Sequence, residues 1–408
     1  MMRELAVVNI YVLAGIAILS YVIVPPVMAA NLNATPSVTI TESWDSNIFN
    51  VSNNEESDFI LRVQPTMTFS LAVLHATLTF GGSFELEDYA EHNELDETAA
   101  GKNFGLNVSD PIPVTPSFSF LPALRFQETN NSVRKKLIAE PATHDISPTE
   151  IVVTARAKER IYLASLGLEY LLSPRTGLSL RGIATKREFP DREIGLIDSK
   201  TYKGDASIAY RISPRFSSGV FFGTGYNSFD DRSNSRLYTG GLQGTYELAQ
   251  HYTVRARVGA TYFKESSEIE GQEEGWRGRH SESLSINYVL RNFRATLLGS
   301  YQLTGISSFG RTTETGTIEL SLTDQFADRW WWDFTTIFQT NRSIDTEVSE
   351  DLVSTNAVGG IRYAPVQWAS INLSGEIGRQ RSHGVVGEDV RRESVMLRVN
   401  LSNSYPLW

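Results

Sequence analysis

Charged side chains on the polar face of alternating segments are the groups in this sequence whose chemistry could act on a passing solute. If they line a water-filled channel, their charge would guide an anionic polymer or solute along the wall. The same charges could instead neutralise one another in a salt-bridge network that fills a narrow, closed lumen, and the sequence leaves both alternatives open. The candidate pore-lining residues are Arg181, Arg211, Arg255, Arg257, Arg294 and Arg398, with the carboxylates Glu169, Asp205, Glu319, Asp333 and Glu376.

Catalysis would need a compact set of side chains, such as Ser/His/Asn or Asp/His. The chain has six histidines, of which His92, His144 and His383 fall in predicted outer loops. None of these three lies in a recognisable catalytic motif, so we interpret them as solvated loop side chains. We therefore predict no catalytic residues and a protein that is not an enzyme.

Clusters of carboxylates in the predicted outer loops suggest a second kind of chemistry, metal binding. Such clusters could hold Ca²⁺ or Mg²⁺ that bridges lipopolysaccharide phosphates. No cluster has EF-hand-like spacing, so we interpret them as solvated loops and predict neither a metal site nor a cofactor. The clusters are Glu91, Glu94, Asp96 and Glu97; Glu265, Glu268, Glu270, Glu273 and Glu274; and Asp345, Glu347, Glu350 and Asp351.

The elements that position these charges are β-strands, because apolar and polar residues alternate along segment after segment. Residues 252–263 show the pattern: Arg255 and Arg257 fall on the polar face, and Tyr252 and Tyr262 end the apolar face. A period of two indicates a strand with one face in an apolar medium and the other in a polar one. Tyrosines at both ends of the apolar row are typical of a lipid-facing strand between two aromatic girdles.

Short turns alternate with longer polar connections along the chain. The turns at residues 173–176 and 213–215 are near copies built on Ser-Pro-Arg, whereas residues 129–158 form the longest connection. Proline at the second position of a turn fixes φ and cannot sit inside a hydrogen-bonded ladder. Short turns on one side and long loops on the other are typical of bacterial outer-membrane barrels, in which the turns are periplasmic and the loops extracellular.

We predict an all-β fold, a transmembrane antiparallel up-and-down β-barrel of about eighteen strands with short periplasmic turns and long extracellular loops. Sixteen strands remain an alternative, because Pro111, Pro113, Pro116 and Pro122 interrupt the pattern in the first third. The predicted strands start near Ser37, Asp58, His75, Gly101, Thr115, Glu159, Thr176, Thr201, Phe216, Arg236, Tyr252, Arg279, Phe293, Thr312, Trp330, Leu352, Trp368 and Arg391.

Composition agrees with a barrel and excludes several classes of protein. The 408 residues include no cysteine, which rules out disulfides, Cys-based zinc sites and a lipoprotein anchor. The net charge of −10 argues against nucleic acid as a partner. The mean hydropathy of −0.20 resembles that of a soluble protein, as expected when half of each strand faces a polar interior.

The N-terminus has the pattern of an export signal. An apolar stretch over residues 10–24 is followed by Pro25-Pro26 and by Val27-Met28-Ala29-Ala30, with small residues placed for cleavage. We predict a signal peptide over residues 1–29 and a barrel over 30–408, located in the cell outer membrane with both termini periplasmic. The alternative is an uncleaved transmembrane anchor, since the apolar stretch is nearly long enough to span.

The start of the predicted mature chain resembles a known family. Residues 35–40, 42–49, 58–60 and 63–65 give an acidic-aromatic-Asp-x-Asn-Ile-Phe stretch followed by an Asp-Phe-Ile … Pro strand, and the Ser-Pro-Arg turns are similar as well. Both features are similar to a family of outer-membrane β-barrel, porin-like proteins encoded with capsular or exopolysaccharide genes. The resemblance implies a role in polysaccharide export or an unspecified porin-like role, and it implies no catalytic residues.

Residues 149–156 resemble the TonB box of TonB-dependent transporters. That motif belongs ahead of a plug domain and a larger barrel, whereas here it lies in mid-chain, so we interpret it as a chance match.

The strand pattern and the family resemblance lead us to expect a porin-like channel that serves exopolysaccharide export or passive solute diffusion. The expected partners are outer-membrane lipid and lipopolysaccharide, with exopolysaccharide and periplasmic export components as further candidates. A structural or adhesive surface barrel is the first alternative, and a barrel lipase or protease is the second.

Overall fold

Long antiparallel strands, each paired with the next along the chain, close this protein into a ring. The computed structural model describes residues 31–73, 76–108, 111–129, 158–190, 197–230, 234–266, 276–304, 313–344, 351–383 and 389–407. Within these residues eighteen strands form the closed ring and two short strands pair beside it. The predicted eighteen-stranded transmembrane barrel is confirmed, and the sixteen-stranded alternative is wrong. No helix among the described residues is long and apolar enough to cross a membrane.

The strands run for 12 to 16 residues, apart from the two short ones. A single turn of 3₁₀ helix, Asn93–Leu95, lies in the connection after the third strand. In chain order the strands are β1 Asn31–Asp45, β2 Asp58–Val73, β3 Ala76–Tyr89, β4 Glu97–Val108, β5 Ile112–Thr115, β6 Phe118–Thr129, β7 Glu159–Ser173, β8 Thr176–Glu188, β9 Ser199–Ser213, β10 Phe216–Phe229, β11 Asn234–Ala249, β12 Tyr252–Ser266, β13 Arg277–Leu290, β14 Phe293–Thr304, β15 Thr313–Ala327, β16 Trp330–Ser343, β17 Asp351–Val366, β18 Ala369–Ser382, β19 Val390–Ser402 and β20 Tyr405–Pro406.

The apolar side chains of the alternating pattern lie on the outside of the ring. Leu242, Val258 and Ile377 leave 66%, 61% and 62% of their surface exposed, and apolar neighbours on other strands are exposed in the same way. A continuous apolar surface of this kind marks contact with lipid. Aromatic side chains lie toward both ends of the strands, with Tyr202 stacked on Tyr226 near one end and other rings near the opposite end.

Prolines explain why the first third of the sequence is hard to divide into strands. Pro122 lies in β6 between the residues that pair with β5 and those that pair with β4. Pro65 lies in β2 where the ladder to β3 breaks between Val63 and Thr66. Proline has no N–H to donate, so each of these residues sits where a hydrogen bond to the next strand is missing anyway.

The ring closes where β1 meets β19, in a seam that pairs residues 37–45 with residues 402–394. Strand β1 begins at Asn31, six residues before the predicted start, because its first residues pair with β2 and with the short β20. After Ser402 the chain leaves β19, and Tyr405 and Pro406 pair with Ala34 and Asn33. Pro406 therefore lies in a short tail beyond the closing strand, and not inside it.

The two ends of the barrel differ. At one end, called the turn rim, two-residue turns such as 174–175 and 214–215 join the strands, and both β1 and β20 lie there. The other end, called the loop rim, carries the longer connections. The predicted signal peptide over 1–29, the stretch 149–156, His75, His144, Trp408, most of the 129–158 loop and most of the second and third acidic clusters lie outside the described residues.

Candidate channel lumen

Register places the predicted charged residues on the side of the wall opposite to the exposed apolar rows. Arg257, for example, pairs with Gln243 in β11, while the neighbouring outward pair is Val258 and Leu242. Side chains alternate between faces along a strand, so each charged position faces inward when its neighbours face lipid. Inward positions are occupied by Glu169 (β7), Arg181 (β8), Asp205 and Arg211 (β9), Arg255 and Arg257 (β12), Arg294 (β14), Glu319 (β15), Asp333 (β16), Glu376 (β18) and Arg398 (β19).

Two of these residues face each other across neighbouring strands. Arg181 and Asp205 are direct partners in the β8–β9 register. On the other side of Asp205, a methyl group at Gly223 would lie 2.8 Å from the Asp205 Oδ1 atom, so glycine leaves the carboxylate room to lie against β10. Opposite charges at directly paired positions attract one another and fix each other's direction.

A second inward group is built on an aromatic ring. The Arg257 guanidinium lies 4.4 Å from the centre of the Phe221 ring, and its Nε donates a hydrogen bond of 3.2 Å to Gln243 Oε1. The Phe221 side chain lies beside a row of glycines, since Gly241 is the register partner of both Phe221 and Gly259. A methyl group at Gly259 would lie 3.1 Å from the Phe221 ring. The side chains of this wall therefore hold Arg257 in one direction.

Sequence reasoning missed a group of charges on the inner face of β1, β2 and β3. Arg62 Nε donates to Glu87 Oε1 at 2.7 Å, and its Nη1 donates to Ser43 Oγ at 3.0 Å. The Tyr89 hydroxyl donates to the other Glu87 oxygen at 3.4 Å. The signal was available in principle, because Glu85 and Glu87 alternate with apolar residues along β3. The prolines that interrupt the alternating pattern in this third of the chain obscured that signal.

The seam continues this group onto β18 and β19. Arg392 donates to both carboxylate oxygens of Asp45 at 3.0 and 3.1 Å, and its Nη1 lies 3.9 Å from Glu376 Oε1. The Asn356 amide donates to the same Glu376 oxygen at 2.9 Å. Glu376, a predicted lumen residue, is thus engaged by an amide and an arginine. Arg398 lies within electrostatic range of Arg62 as well as of Glu85 and Asp333.

The inward charges are unevenly distributed between two opposite walls. In the ring of eighteen strands, β11 lies nine steps from β1, so the strands around β11 face those around β1 across the barrel. Basic side chains prevail on the first wall, whereas carboxylates outnumber cations on the second, where Arg62, Arg392 and Arg398 lie among them. The basic wall carries Arg181, Lys203, Arg211, Arg255, Arg257 and Arg294, and the acidic wall carries Asp45, Asp58, Glu85, Glu87 and Glu376.

The stretch that carries the family resemblance folds into a compact unit at the loop rim, which we call the seam clasp. It comprises Asp45, Asn47, Asp58 and His92 with the backbone they hold. The Asn47 amide donates to the carbonyl oxygens of Val51 at 2.8 Å and Arg391 at 3.1 Å, and Val51 N–H donates to Asn47 Oδ1 at 3.0 Å. Because Arg391 belongs to β19, Asn47 ties the first connection of the barrel across the seam.

Asp58 and His92 complete the clasp on the side of β3. Asp58 accepts hydrogen bonds from the backbone N–H groups of Phe59, Glu91 and His92. His92 Nδ1 lies 2.9 Å from Asp58 and Nε2 lies 2.7 Å from Glu56. The hydrogen bonds to Glu56 and Asp58 raise the pKa of His92 above its usual value. Beneath them, Ile48, Ile60 and Tyr89 form a buried apolar cluster.

The surroundings of His92 do not fit nucleophilic catalysis. In a Ser-His-Asp site one ring nitrogen faces the carboxylate and the other faces the hydroxyl. Both His92 nitrogens face carboxylates, which leaves neither to activate a hydroxyl. His280 stacks on Tyr301 with ring centres 4.7 Å apart. Among the described residues, which include the whole first acidic cluster, no group of three or more acidic or histidine side chains is arranged to hold a metal ion.

Comparison with known proteins gives structural likeness only. No protein-family model matches the chain, and no curated protein sequence matches it significantly. The chain is similar to Acinetobacter baumannii OccAB4, with 9% identity and a TM-score of 0.46 over 93% of this chain and 100% of that one. It is also similar to the Pseudomonas aeruginosa outer membrane protein opdK, with 11% identity and a TM-score of 0.46 over 91% of this chain and 99% of that one. A third similar structure is the ferric citrate transporter FecA, with 13% identity and a TM-score of 0.47 over 92% of this chain and 66% of that one. At these identities the likeness assigns neither a family nor a solute.

Proposed function

We propose that this protein is an outer-membrane, porin-like channel through which hydrophilic solutes diffuse passively. The observation that carries the proposal is a closed ring of eighteen strands with charges on its inner face and apolar side chains exposed on its outer face. Barrels of sixteen to eighteen strands are too wide for wall side chains to fill and leave an aqueous channel. A polar interior is therefore a path for water and solutes.

The asymmetry of the rims supports an orientation. Outer-membrane barrels place short turns in the periplasm and longer loops outside the cell. The turn rim of this barrel carries the two-residue turns and both ends of the ring, so it would face the periplasm. Solutes would enter at the loop rim, pass the seam clasp on one side, and travel between the two charged walls.

The charged walls support a preference for solutes that carry charge. Anions are attracted to the wall of Arg181, Arg211, Arg255, Arg257 and Arg294, and cationic groups to the acidic wall opposite. An anionic exopolysaccharide threaded along the basic wall is a finer form of the same proposal, and it rests on the sequence resemblance. The extensive pairing of Arg62, Arg392 and Asp45 favours the alternative of a self-neutralised structural barrel that does not conduct.

Single-channel recording distinguishes these functions. The refolded protein would be inserted into planar bilayers, intact and with residues 130–157 replaced by a short Gly-Ser linker. Steady conductance of the intact protein supports an open channel, and its block by an anionic polysaccharide, but not by a neutral one of equal length, supports polymer export. Conductance that appears only after the replacement indicates a plugged channel. Silence of both, from protein shown to be folded, rejects the channel and favours the structural barrel.

A further inference from the structure

The outer face of the barrel is not apolar everywhere. On β4, β6 and β7, directly paired positions give an outward row of Phe104, Phe126 and Tyr162. Phe104 and Tyr162 are exposed, and the rings of Phe126 and Tyr162 lie 5.1 Å apart. This aromatic row has the character of the girdle that marks the boundary between hydrocarbon and head groups.

One step nearer the loop rim, the same strands carry a row of charges on the same outer face. The paired positions are Lys102, Glu128, Arg160 and Glu188. Lys102 Nζ lies 2.6 Å from Glu128 Oε1, and Arg160 Nε lies 2.6 Å from Glu128 Oε2. Lys158 Nζ approaches the same carboxylate at 3.9 Å. Three cations thus converge on one carboxylate.

Lys186 extends the group, which we call the outer basic cluster, on the next strand. Its Nζ lies 2.6 Å from Glu188 Oε1 and 5.9 Å from the centre of the Tyr162 ring. The cluster of Lys102, Lys158, Arg160, Lys186, Glu128 and Glu188 therefore has four cations against two carboxylates. Its net charge is +2 in a protein whose net charge is −10. Lys200, the register partner of Lys186, adds a further cation at its edge.

The cluster holds more positive charge than its own carboxylates neutralise. Surface ion pairs contribute little to stability, so stability alone does not account for four cations around two carboxylates. The Glu128 side chain is only 4% exposed, whereas Lys102, Arg160 and Lys186 remain between 37% and 48% exposed. The buried carboxylate thus holds the cations in place while their outward sides stay accessible just above the aromatic row.

We propose that the outer basic cluster binds the phosphate groups of a lipopolysaccharide-type glycolipid in the outer leaflet. Arginine and lysine donate charge-assisted hydrogen bonds to phosphate oxygens, and cations at head-group height attract anionic lipids. The acyl chains of the same molecule would lie on the apolar wall below. This inference goes beyond solute passage and rests only on the proposed placement of the loop rim at the outer leaflet.

The test measures lipid binding by the full-length barrel refolded in detergent micelles, with bound lipid counted by native mass spectrometry. The probes are diphosphoryl lipid A, the same lipid with its phosphates removed, and phosphatidylglycerol. We expect diphosphoryl lipid A to bind at one saturable site. The triple variant K102Q/R160Q/K186Q should weaken that binding by about tenfold or more, because it removes three of the cations that attract the anionic head group.

A matched control variant makes the result specific. The control R236Q/R379Q/R381Q removes three exposed outward arginines of β11 and β18 and should leave the affinity unchanged. Equal binding of phosphatidylglycerol, equal loss in the control, or binding that survives the triple substitution would overturn the proposal. Because no conductance is involved, failure here is distinct from failure of the channel function.

Discussion

At the scale of single residues, the most informative stretch is the one that forms the seam clasp. The order Trp44-Asp45-Ser46-Asn47-Ile48-Phe49 followed by Asp58-Phe59-Ile60 is recognisable in the sequence, but its physical role is not. That role depends on Arg391 and Arg392, which lie more than 340 residues away along the chain. Local sequence could therefore identify the motif, whereas only the closed ring shows that it fastens the first connection to the last strand.

His92 gives the clasp a predicted dependence on pH. Its pKa is raised by Glu56 and Asp58, so its contribution to stability is complete below the unfolded value of about 6.5 and is lost as the pH rises through the folded pKa. We expect backbone hydrogen exchange of residues 46–57, corrected for the intrinsic rate, to be slower at pH 5.5 than at pH 8.5. The H92Q variant should lose this difference, and a difference retained in H92Q would assign it to another group.

Asn47 provides a test of the clasp at a single residue. Its side chain makes three hydrogen bonds and is buried, so N47A leaves backbone groups of Val51 and Arg391 without their partner. We expect a loss of about 2 kcal/mol or more in the free energy of unfolding, measured by urea titration in lipid vesicles. N53A, an exposed asparagine of the same connection, is the matched control and should have no measurable effect. Equal effects of the two substitutions would contradict the assigned role.

At the scale of the strand, alternation predicts most of the barrel from sequence. Each of β7 to β19 shows the period of two, because each contacts lipid on one face and a polar interior on the other. The first third is less predictable, since Pro65 and Pro122 interrupt the pattern at points where a ladder breaks between partners. Such breaks depend on which strand lies alongside, and this information is absent from the strand's own sequence.

The outer face is also less uniform than alternation alone predicts. Glu42 pairs with outward Leu61 and Leu397, and Glu282 pairs with outward Val258 and Tyr301. Both carboxylates therefore lie on the lipid side. Glu42 is two residues from Trp44 near the loop rim, toward the head groups, where the cost of a charge is low. Glu282 instead pairs with Val258 between the Tyr252 and Tyr262 positions, so it is an exception to the apolar outer face.

Strands β10, β11 and β12 approach one another closely at glycines, so a larger residue at one of these positions should destabilise the sheet. A methyl group at Gly241 would lie 2.2 Å from the Val258 carbonyl oxygen, so G241A forces the sheet apart. We expect destabilisation of about 2 kcal/mol or more and a lower refolding yield. G177A is the matched control, because a methyl group there meets nothing within 4 Å. Equal unfolding midpoints for the two variants would show that the wall yields at Gly241 without cost.

At the scale of the whole molecule, cations prevail on one wall, and the opposite wall carries carboxylates that are partly paired with arginines. The sequence could identify Arg255, Arg257 and Arg294 as inward by parity. It could not show that they face the carboxylates of β1 and β3, because opposition depends on the number of strands in the ring. The sequence interpretation therefore contained the basic wall but only Glu376 and Arg398 from the opposite side, and it missed Asp45, Asp58, Glu85 and Glu87.

Ion selectivity provides the test of this arrangement. The triple variant R255Q/R257Q/R294Q removes three cations from the basic wall, so the ratio of chloride to potassium permeability should fall by about twofold or more. The measurement is the reversal potential across a bilayer in a KCl gradient. The variant R236Q/R379Q/R381Q removes the same charge from the outer face and should keep the original ratio. A fall of equal size in both variants would point to a general surface potential.

The short tail that follows β19 has a consequence for the order of the chain. Leu407 N–H donates to the Leu32 carbonyl oxygen at 2.7 Å, so the first and last described stretches of the ring lie side by side. A linker of a few residues between them, with a new opening at the 214–215 turn, would preserve every strand pair. The closed ring therefore has no obligatory first strand, and a circular permutant should reach the same barrel by starting its synthesis on the opposite wall.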